Sequence, residues 1–132
     1  MSAKYDAARQ AFGEGTLSWT RDRLFGQLLG SDYVFSEKHT TPAQLGSARI
    51  GDPVELTGKT IARGYARCGT IAFKRVPGPR QAVAYAIYRD HPASNGGQLL
   101  VAFIDGVDGF PMLPNGGDIL IDPPETGGLF RV

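Results

Sequence analysis

The sequence predicts a mainly β fold: an antiparallel β-sandwich or small barrel, jelly-roll-like forms included, with a short N-terminal α-helix. Eighteen glycines and nine prolines make up about a fifth of the 132 residues, against roughly 12% in average usage. From Pro53 onward, short alternating apolar segments are divided by Gly and Pro, which is the pattern of an antiparallel sheet. Apolar residues recur at helical spacing near the N-terminus.

The N-terminal helix is predicted from a stretch without Gly or Pro. Tyr5, Ala8 and Phe12 stand at i, i+3 and i+7, the spacing of one helical face. Ser2 is available as the N-cap and Gly13 as the terminator. The narrow apolar stripe predicts that this helix docks on its own sheet or on a neighbouring subunit.

A strand and a second, shorter helix are predicted next. The segment Arg23–Leu29 is rich in large apolar residues and is predicted as a strand. After a loop, Thr41 and Gln44 have the spacing of a capping box, and Pro42 stands at the first helical position, where its missing N–H costs nothing. Gly46 limits this helix to about one turn.

The remaining elements are predicted as short strands. The clearest is Ala82–Arg89, which is apolar on both faces and is therefore expected at the centre of a sheet. One domain is expected over residues 1–132, with the helix and its turn in 1–15 and the β domain in 16–132. The other predicted strands are Val54–Leu56, Ile61–Ala66, Thr70–Lys74, Leu99–Ile104, Ile119–Ile121 and Leu129–Val132.

Several classes of protein are not expected. No apolar run approaches the ~20 residues of a membrane span, and the N-terminus lacks the layout of a signal peptide, so synthesis in the cytoplasm is expected. The single cysteine, Cys68, predicts no internal disulfide. With only His39 and His91 as further soft ligands, neither a metal centre nor a cofactor is expected.

The remaining chemical motifs are weak, and no enzyme is expected. Asp105 and Asp108 alternate with glycine as in a calcium loop, but the spacing is not that of an EF-hand, and a turn is favoured. Gly-Lys-Thr at 58–60 lacks the upstream glycine of a phosphate-binding loop, because position 53 is Pro53. No Gly-x-Ser-x-Gly setting for a nucleophile is present.

Charge is unevenly distributed along a chain whose net charge is only +1. Residues 59–89 carry seven basic and no acidic side chains, whereas residues 90–132 carry six acidic and one basic. Three interpretations of the basic segment remain: a nucleic-acid-binding face, a sheet surface neutralised by acidic loops, or charge that complements a neighbouring subunit. The candidate partner interface is Lys59, Arg63, Arg67, Lys74, Arg75 and Arg80, of which the first three are expected on one face of a strand together with Tyr65.

Four stretches resemble a widespread family of small tailed-bacteriophage virion proteins, of the head decoration, cement or tail accessory type. They are Leu56–Thr60, Tyr88–Asp90, Phe103–Asp105 and, above all, Gly109–Ile119, which reads GFPMLPNGGDI. The Pro-Asn-Gly-Gly-Asp corner before a strand is the most specific element. The resemblance covers most of the chain, and it implies a structural protein of a phage particle with no catalytic residues.

The expected function is therefore non-enzymatic. The first expectation is a capsid decoration or cement protein that binds and stabilises the assembled shell of major capsid protein, and binds copies of itself. It would be made in the host bacterial cytoplasm and located in the virion, with no membrane or cofactor. One alternative is a tail or fibre-base accessory protein that contributes to host attachment. A second is a nucleic-acid-binding packaging protein, which the near-neutral net charge disfavours.

Overall fold

The computed structural model describes residues 2–90, 98–105, 107, 109–123 and 128–132. These residues form antiparallel sheets with one α-helix near the N-terminus, so the predicted mainly β fold is confirmed. His91 and Asp108 lie outside the described residues. Within the described ranges, no helix is long and apolar enough to span a membrane.

Ten strands in the described ranges form three sheets. The five-stranded sheet has the order β1-β8-β7-β2-β3, the three-stranded sheet β10-β5-β4, and the two-stranded sheet β6-β9, with elements numbered in chain order as follows. They are β1 (Ser2–Lys4), α1 (Asp6–Glu14), β2 (Leu24–Leu29), a 3₁₀ helix (Pro42–Ala48), β3 (Arg49–Glu55), β4 (Thr60–Ala62), β5 (Tyr65–Arg67), β6 (Ile71–Phe73), β7 (Ala84–Arg89), β8 (Leu99–Asp105), β9 (Ile119–Ile121) and β10 (Phe130–Arg131). β7 is the central strand of the large sheet, as its two apolar faces predict.

Apolar side chains cover both faces of the five-stranded sheet. On one face, Leu28 and Ile87 belong to the main core, together with Phe73 of the two-stranded sheet. On the other face, Ala86 of β7 belongs to a second cluster with Leu45 of the 3₁₀ helix. The fold is therefore sandwich-like, with the small sheets on one side of the large sheet and the 30–48 segment on the other.

The N-terminal helix begins later than predicted. Residues 2–4 are β1, which pairs with β8 in the register Ser2↔Ile104, because hydrogen bonds to a distant strand outweigh local helix propensity. Tyr5 is the N-cap, with no side-chain capping bond, and Gly15 ends the helix in the left-handed conformation (φ 77°). The predicted roles of Ser2 as N-cap and Gly13 as terminator are therefore wrong.

The strand predicted over Ile61–Ala66 is also wrong, because the chain turns within it. Arg63 and Gly64 both have positive φ, 54° and 80°, and β4 and β5 pair on either side of them in the register Ala62↔Tyr65. Positive φ at both central residues is the geometry of a two-residue hairpin. The segment is a β4–β5 hairpin rather than one strand.

β3 begins earlier than the predicted Val54–Leu56 and contains an irregularity. Its register with β2 jumps from Leu28↔Ile50 to Gly26↔Val54, so residues 51–53 bulge out of the ladder opposite Gln27. The Gln27 amide donates to the carbonyl oxygens of Ile50 (3.0 Å) and Gly51 (3.1 Å). The bulge is thereby held by a buried side chain.

The capping box predicted at Thr41 and Gln44 is present at the 3₁₀ helix. Gln44 Oε1 accepts the backbone N–H of Thr41 at 3.0 Å, which is one of the two bonds of the motif. Gly46 leaves the helical conformation (φ 60°), consistent with its predicted role in limiting the helix.

Candidate protein-interaction site

The segments 71–82 and 112–121 run antiparallel and form a long paired structure, here called the ribbon. Its base is the β6–β9 ladder. Beyond the ladder, the Val76 N–H donates to Gly117 O (2.9 Å) and the Gly116 N–H donates to Val76 O (2.7 Å). Backbone pairing therefore continues after the regular strands end.

Toward its far end the ribbon is closed by a bridge and stiffened by prolines. Ala82 and Met112 exchange two backbone hydrogen bonds, of 2.8 and 2.9 Å. A Cβ built on Gly78 would lie 2.5 Å from Pro114 O, so the two segments touch backbone to backbone at a position that requires glycine. Four prolines fix φ in and beside these segments, namely Pro77, Pro79, Pro111 and Pro114.

The outer face of the ribbon base carries an exposed leucine between two polar pairs. Leu120 lies directly opposite Ala72 and is 62% exposed. Side chains directly opposite each other on one face are the contacts that stabilise a sheet. The flanking pairs are Thr70 Oγ1 to Asp122 Oδ1 at 2.5 Å and Lys74 Nζ to Asp118 Oδ2 at 3.2 Å.

A cleft of about 650 Å³ opens where the ribbon meets the β3 bulge. Asp118 organises this point, because it accepts the backbone N–H of Arg75 (3.0 Å) as well as the Lys74 ammonium. These two donors hold the pKa of the Asp118 carboxyl below its usual range, and Arg75 is kept at a positive φ of 49°. The cleft is lined by Gly51, Asp52, Lys74, Arg75, Pro77 and Asp118.

Three of the six predicted interface residues lie on or beside the β4–β5 hairpin and not on one strand face. Lys59 precedes β4, and its ammonium donates to the backbone oxygen of Asp22; burial lowers the pKa of that ammonium. Arg63 is exposed at the hairpin turn, whereas Arg67 lies on β5 opposite Thr60. The expectation of a shared strand face is wrong because the chain reverses at Arg63.

The other three predicted residues, Lys74, Arg75 and Arg80, lie on the ribbon. Arg80 fastens the ribbon to the rest of the molecule, since its guanidinium donates to the carbonyl oxygens of Ser47 (2.5 Å) and Arg49 (2.7 Å). The Arg80 guanidinium is therefore already hydrogen-bonded within the chain. The Arg75 side chain makes no ion pair with any residue that the structure describes.

Cys68 and His39, the soft metal ligands weighed in the sequence, are placed as packing and hydrogen-bonding residues. Cys68 packs against the main core, and burial raises the pKa of its thiol to about 11. His39 Nδ1 lies 2.8 Å from the Tyr33 hydroxyl. No group of three or more His, Cys, Asp or Glu side chains in the described part of the chain could hold a metal ion.

Three surface residues of the ribbon and its cleft, Leu113, Leu120 and Asp52, are not indicated by the charge pattern. Leu113 and Leu120 are 60% and 62% exposed, and Asp52 lies on the β3 bulge. The alternation Asp-Ile-Leu-Ile-Asp over 118–122 is a usable signal, because it places Leu120 on the same face as two aspartates. No comparable signal marks Asp52, since its position depends on the register of β3.

The ribbon thus combines a fixed backbone, exposed leucines and accessible charge, which suits it to binding another protein. A scan against protein-family models and searches of curated proteins and of solved structures find no match to this chain.

Proposed function

We propose that this chain is a non-enzymatic structural protein of a bacteriophage virion, of the capsid decoration type, and that it binds the assembled shell of major capsid protein through the ribbon. The observation that carries the proposal is the exposure of Leu113 and Leu120 on a backbone that is already fixed. Apolar side chains held out in water on a rigid element are typical of protein contacts.

The resemblance to phage virion proteins supports the same surface. Its most specific stretch, Gly109–Ile119, supplies most of one side of the ribbon. Pro114 of that stretch is the residue whose backbone lies against Gly78. The residues that suggest a virion protein and the residues that build the exposed surface are therefore largely the same.

Such a protein would stabilise the shell by binding it, because binding and assembly are thermodynamically linked. A ligand that binds only the assembled state of a shell stabilises that state by mass action, without any chemical step. The prolines reduce the conformational entropy that the ribbon loses on binding.

The test is binding of the purified protein to assembled shells and to unassembled major capsid protein of the phage whose genome encodes it. Co-sedimentation with shells, and little binding to unassembled protein, is expected. The double variant Leu113→Ser with Leu120→Thr should bind at least about tenfold more weakly, because the loss of one buried leucine contact is worth about 1.5 kcal/mol or more.

Val34→Ser is the matched control, since Val34 is 78% exposed on the segment before the 3₁₀ helix and its loss should leave shell binding unchanged. Circular dichroism should show that both variants are folded. Cryo-microscopy density for this chain at the tail and never on the shell would contradict the proposal. Binding to DNA with a steep salt dependence, and none to shells, would favour a packaging protein instead.

A further inference from the structure

The cleft beside the ribbon carries both signs of charge in equal number. Lys74 and Asp118 pair with each other at 3.2 Å. Asp52 and Arg75 also line the cleft, and neither side chain makes an ion pair with a residue that the structure describes. One anion and one cation are thus left for an occupant of the cleft.

Both of these charges are carried on fixed backbone. Asp52 is the middle residue of the β3 bulge, and the buried Gln27 amide donates to the carbonyl oxygens of the two residues before it, Ile50 and Gly51. The backbone of Arg75 is held by its N–H bond to Asp118. An occupant therefore does not have to order the backbone that presents Asp52 and Arg75.

The balance of charge selects the kind of occupant. An acidic protein surface would satisfy Arg75 and repel Asp52, and a nucleic acid would place phosphates against Asp52. An occupant that satisfies both must offer a cation and an anion together. A second copy of the same cleft offers this pair, because in a twofold contact each residue meets its complement twice.

We propose that the cleft is the contact between two copies of this chain, with Asp52 of each copy paired with Arg75 of the other. Gly51 and Pro77, which also line the cleft, present little side-chain bulk and no charge, which allows close approach. The proposal does not rest on shell binding, since it concerns the protein in solution.

The experiment measures mass by sedimentation equilibrium for the full chain and for the variants Asp52→Lys and Arg75→Glu. The wild type should dimerise, more weakly as salt is added. Each variant should dimerise at least about tenfold more weakly, because both of its contacts become like-charge pairs. An equimolar mixture of the two variants should dimerise again, because the introduced lysine faces the introduced glutamate while the native Arg75 faces the native Asp52.

Arg9→Glu and Glu37→Lys are the matched controls, as both reverse an exposed charge away from the cleft and should dimerise as the wild type does. Circular dichroism should be the same for all the proteins. A wild type that is monomeric at about 1 mM, the weak end of specific association, would overturn the proposal. Single variants that dimerise like the wild type, or a mixture that stays monomeric, would overturn it as well.

Discussion

At the scale of single residues, Tyr33 joins two parts of the second apolar cluster through its hydroxyl. Its oxygen lies 2.8 Å from the Tyr5 hydroxyl and 2.8 Å from His39 Nδ1. When Tyr5 donates to Tyr33 and Tyr33 donates to His39, both hydroxyl groups and His39 Nδ1 have a partner. Tyr5 is fully buried, so it depends on this partner.

We expect Tyr33→Phe to lower the free energy of unfolding by about 1–3 kcal/mol, because the buried Tyr5 hydroxyl loses its partner. Urea denaturation measures this change. Tyr65→Phe, which removes a hydroxyl from a half-buried ring, is the control and should change stability by less than about 0.5 kcal/mol. The double variant Tyr5→Phe with Tyr33→Phe should lose less free energy of unfolding than the sum of the two single variants. Equal losses for Tyr33→Phe and Tyr65→Phe would contradict the hydrogen-bond chain.

Cys68 provides a second prediction at this scale. Burial raises the pKa of its thiol from 9.0 to about 11, and the thiolate is the reactive form. At pH 8 the folded protein should therefore hold about 100-fold less thiolate than a thiol with the unperturbed pKa. The reaction of Cys68 with a disulfide reagent should be slow in the native protein, faster as the pH rises toward 11, and fast in urea. Equal rates in native protein and in urea would show an accessible, ordinary thiol.

At the scale of elements, strands with clear apolar alternation could be predicted from sequence, and those defined by distant pairing could not. Ile119–Ile121 is predicted to the residue, and β7 is predicted at the centre of its sheet. β1 was not predictable, because its partner β8 lies about 100 residues away in the chain. The early part of β3 could not be predicted, because Gly51 and Pro53 are typical of turns. In the fold these two residues belong to the bulge.

The β4–β5 hairpin was not predicted because arginine is not a typical turn residue. The conformation of Arg63 leads to a prediction. Arg63 has φ 54°, a conformation that costs most L-residues roughly 1–2 kcal/mol and that asparagine tolerates better. Arg63→Asn should therefore raise the free energy of unfolding, by up to about 1 kcal/mol. Arg63→Val, in which a β-branched residue takes the same conformation, should lower it. Thermal denaturation checks both, and stabilisation by valine would contradict the turn geometry.

At the scale of the whole molecule, folding brings together charges that the sequence keeps apart. Lys74 of the basic stretch pairs with Asp118 of the acidic stretch, and Arg80 lies 3.5 Å from Asp32. The candidate site could be predicted only in part for this reason. The sequence indicates Lys74 and Arg75, but which cations remain available depends on pairings across more than 30 residues.

The N-terminal segment and β10 pack in the same core, so contacts of β10 contribute to the stability of the whole molecule. Phe130 is 4% exposed and packs edge-on against Trp19, with ring centroids 5.2 Å apart. Trp19 in turn donates its indole N–H to Arg67 O at 2.9 Å. The N-terminal segment, β5 and β10 therefore depend on one another.

Phe130→Ala should accordingly destabilise the whole molecule and not only its last strand. A buried Phe→Ala change costs about 3–5 kcal/mol, a large share of the roughly 5–15 kcal/mol that holds a small domain folded. Trp19 fluorescence during urea denaturation should show a single transition at a lower midpoint. Val132→Ala, at a position that is 44% exposed, is the control and should leave the midpoint almost unchanged. If the two variants have equal midpoints, β10 would be a peripheral strand whose loss the core tolerates, and the ends of the chain would not be coupled through Trp19.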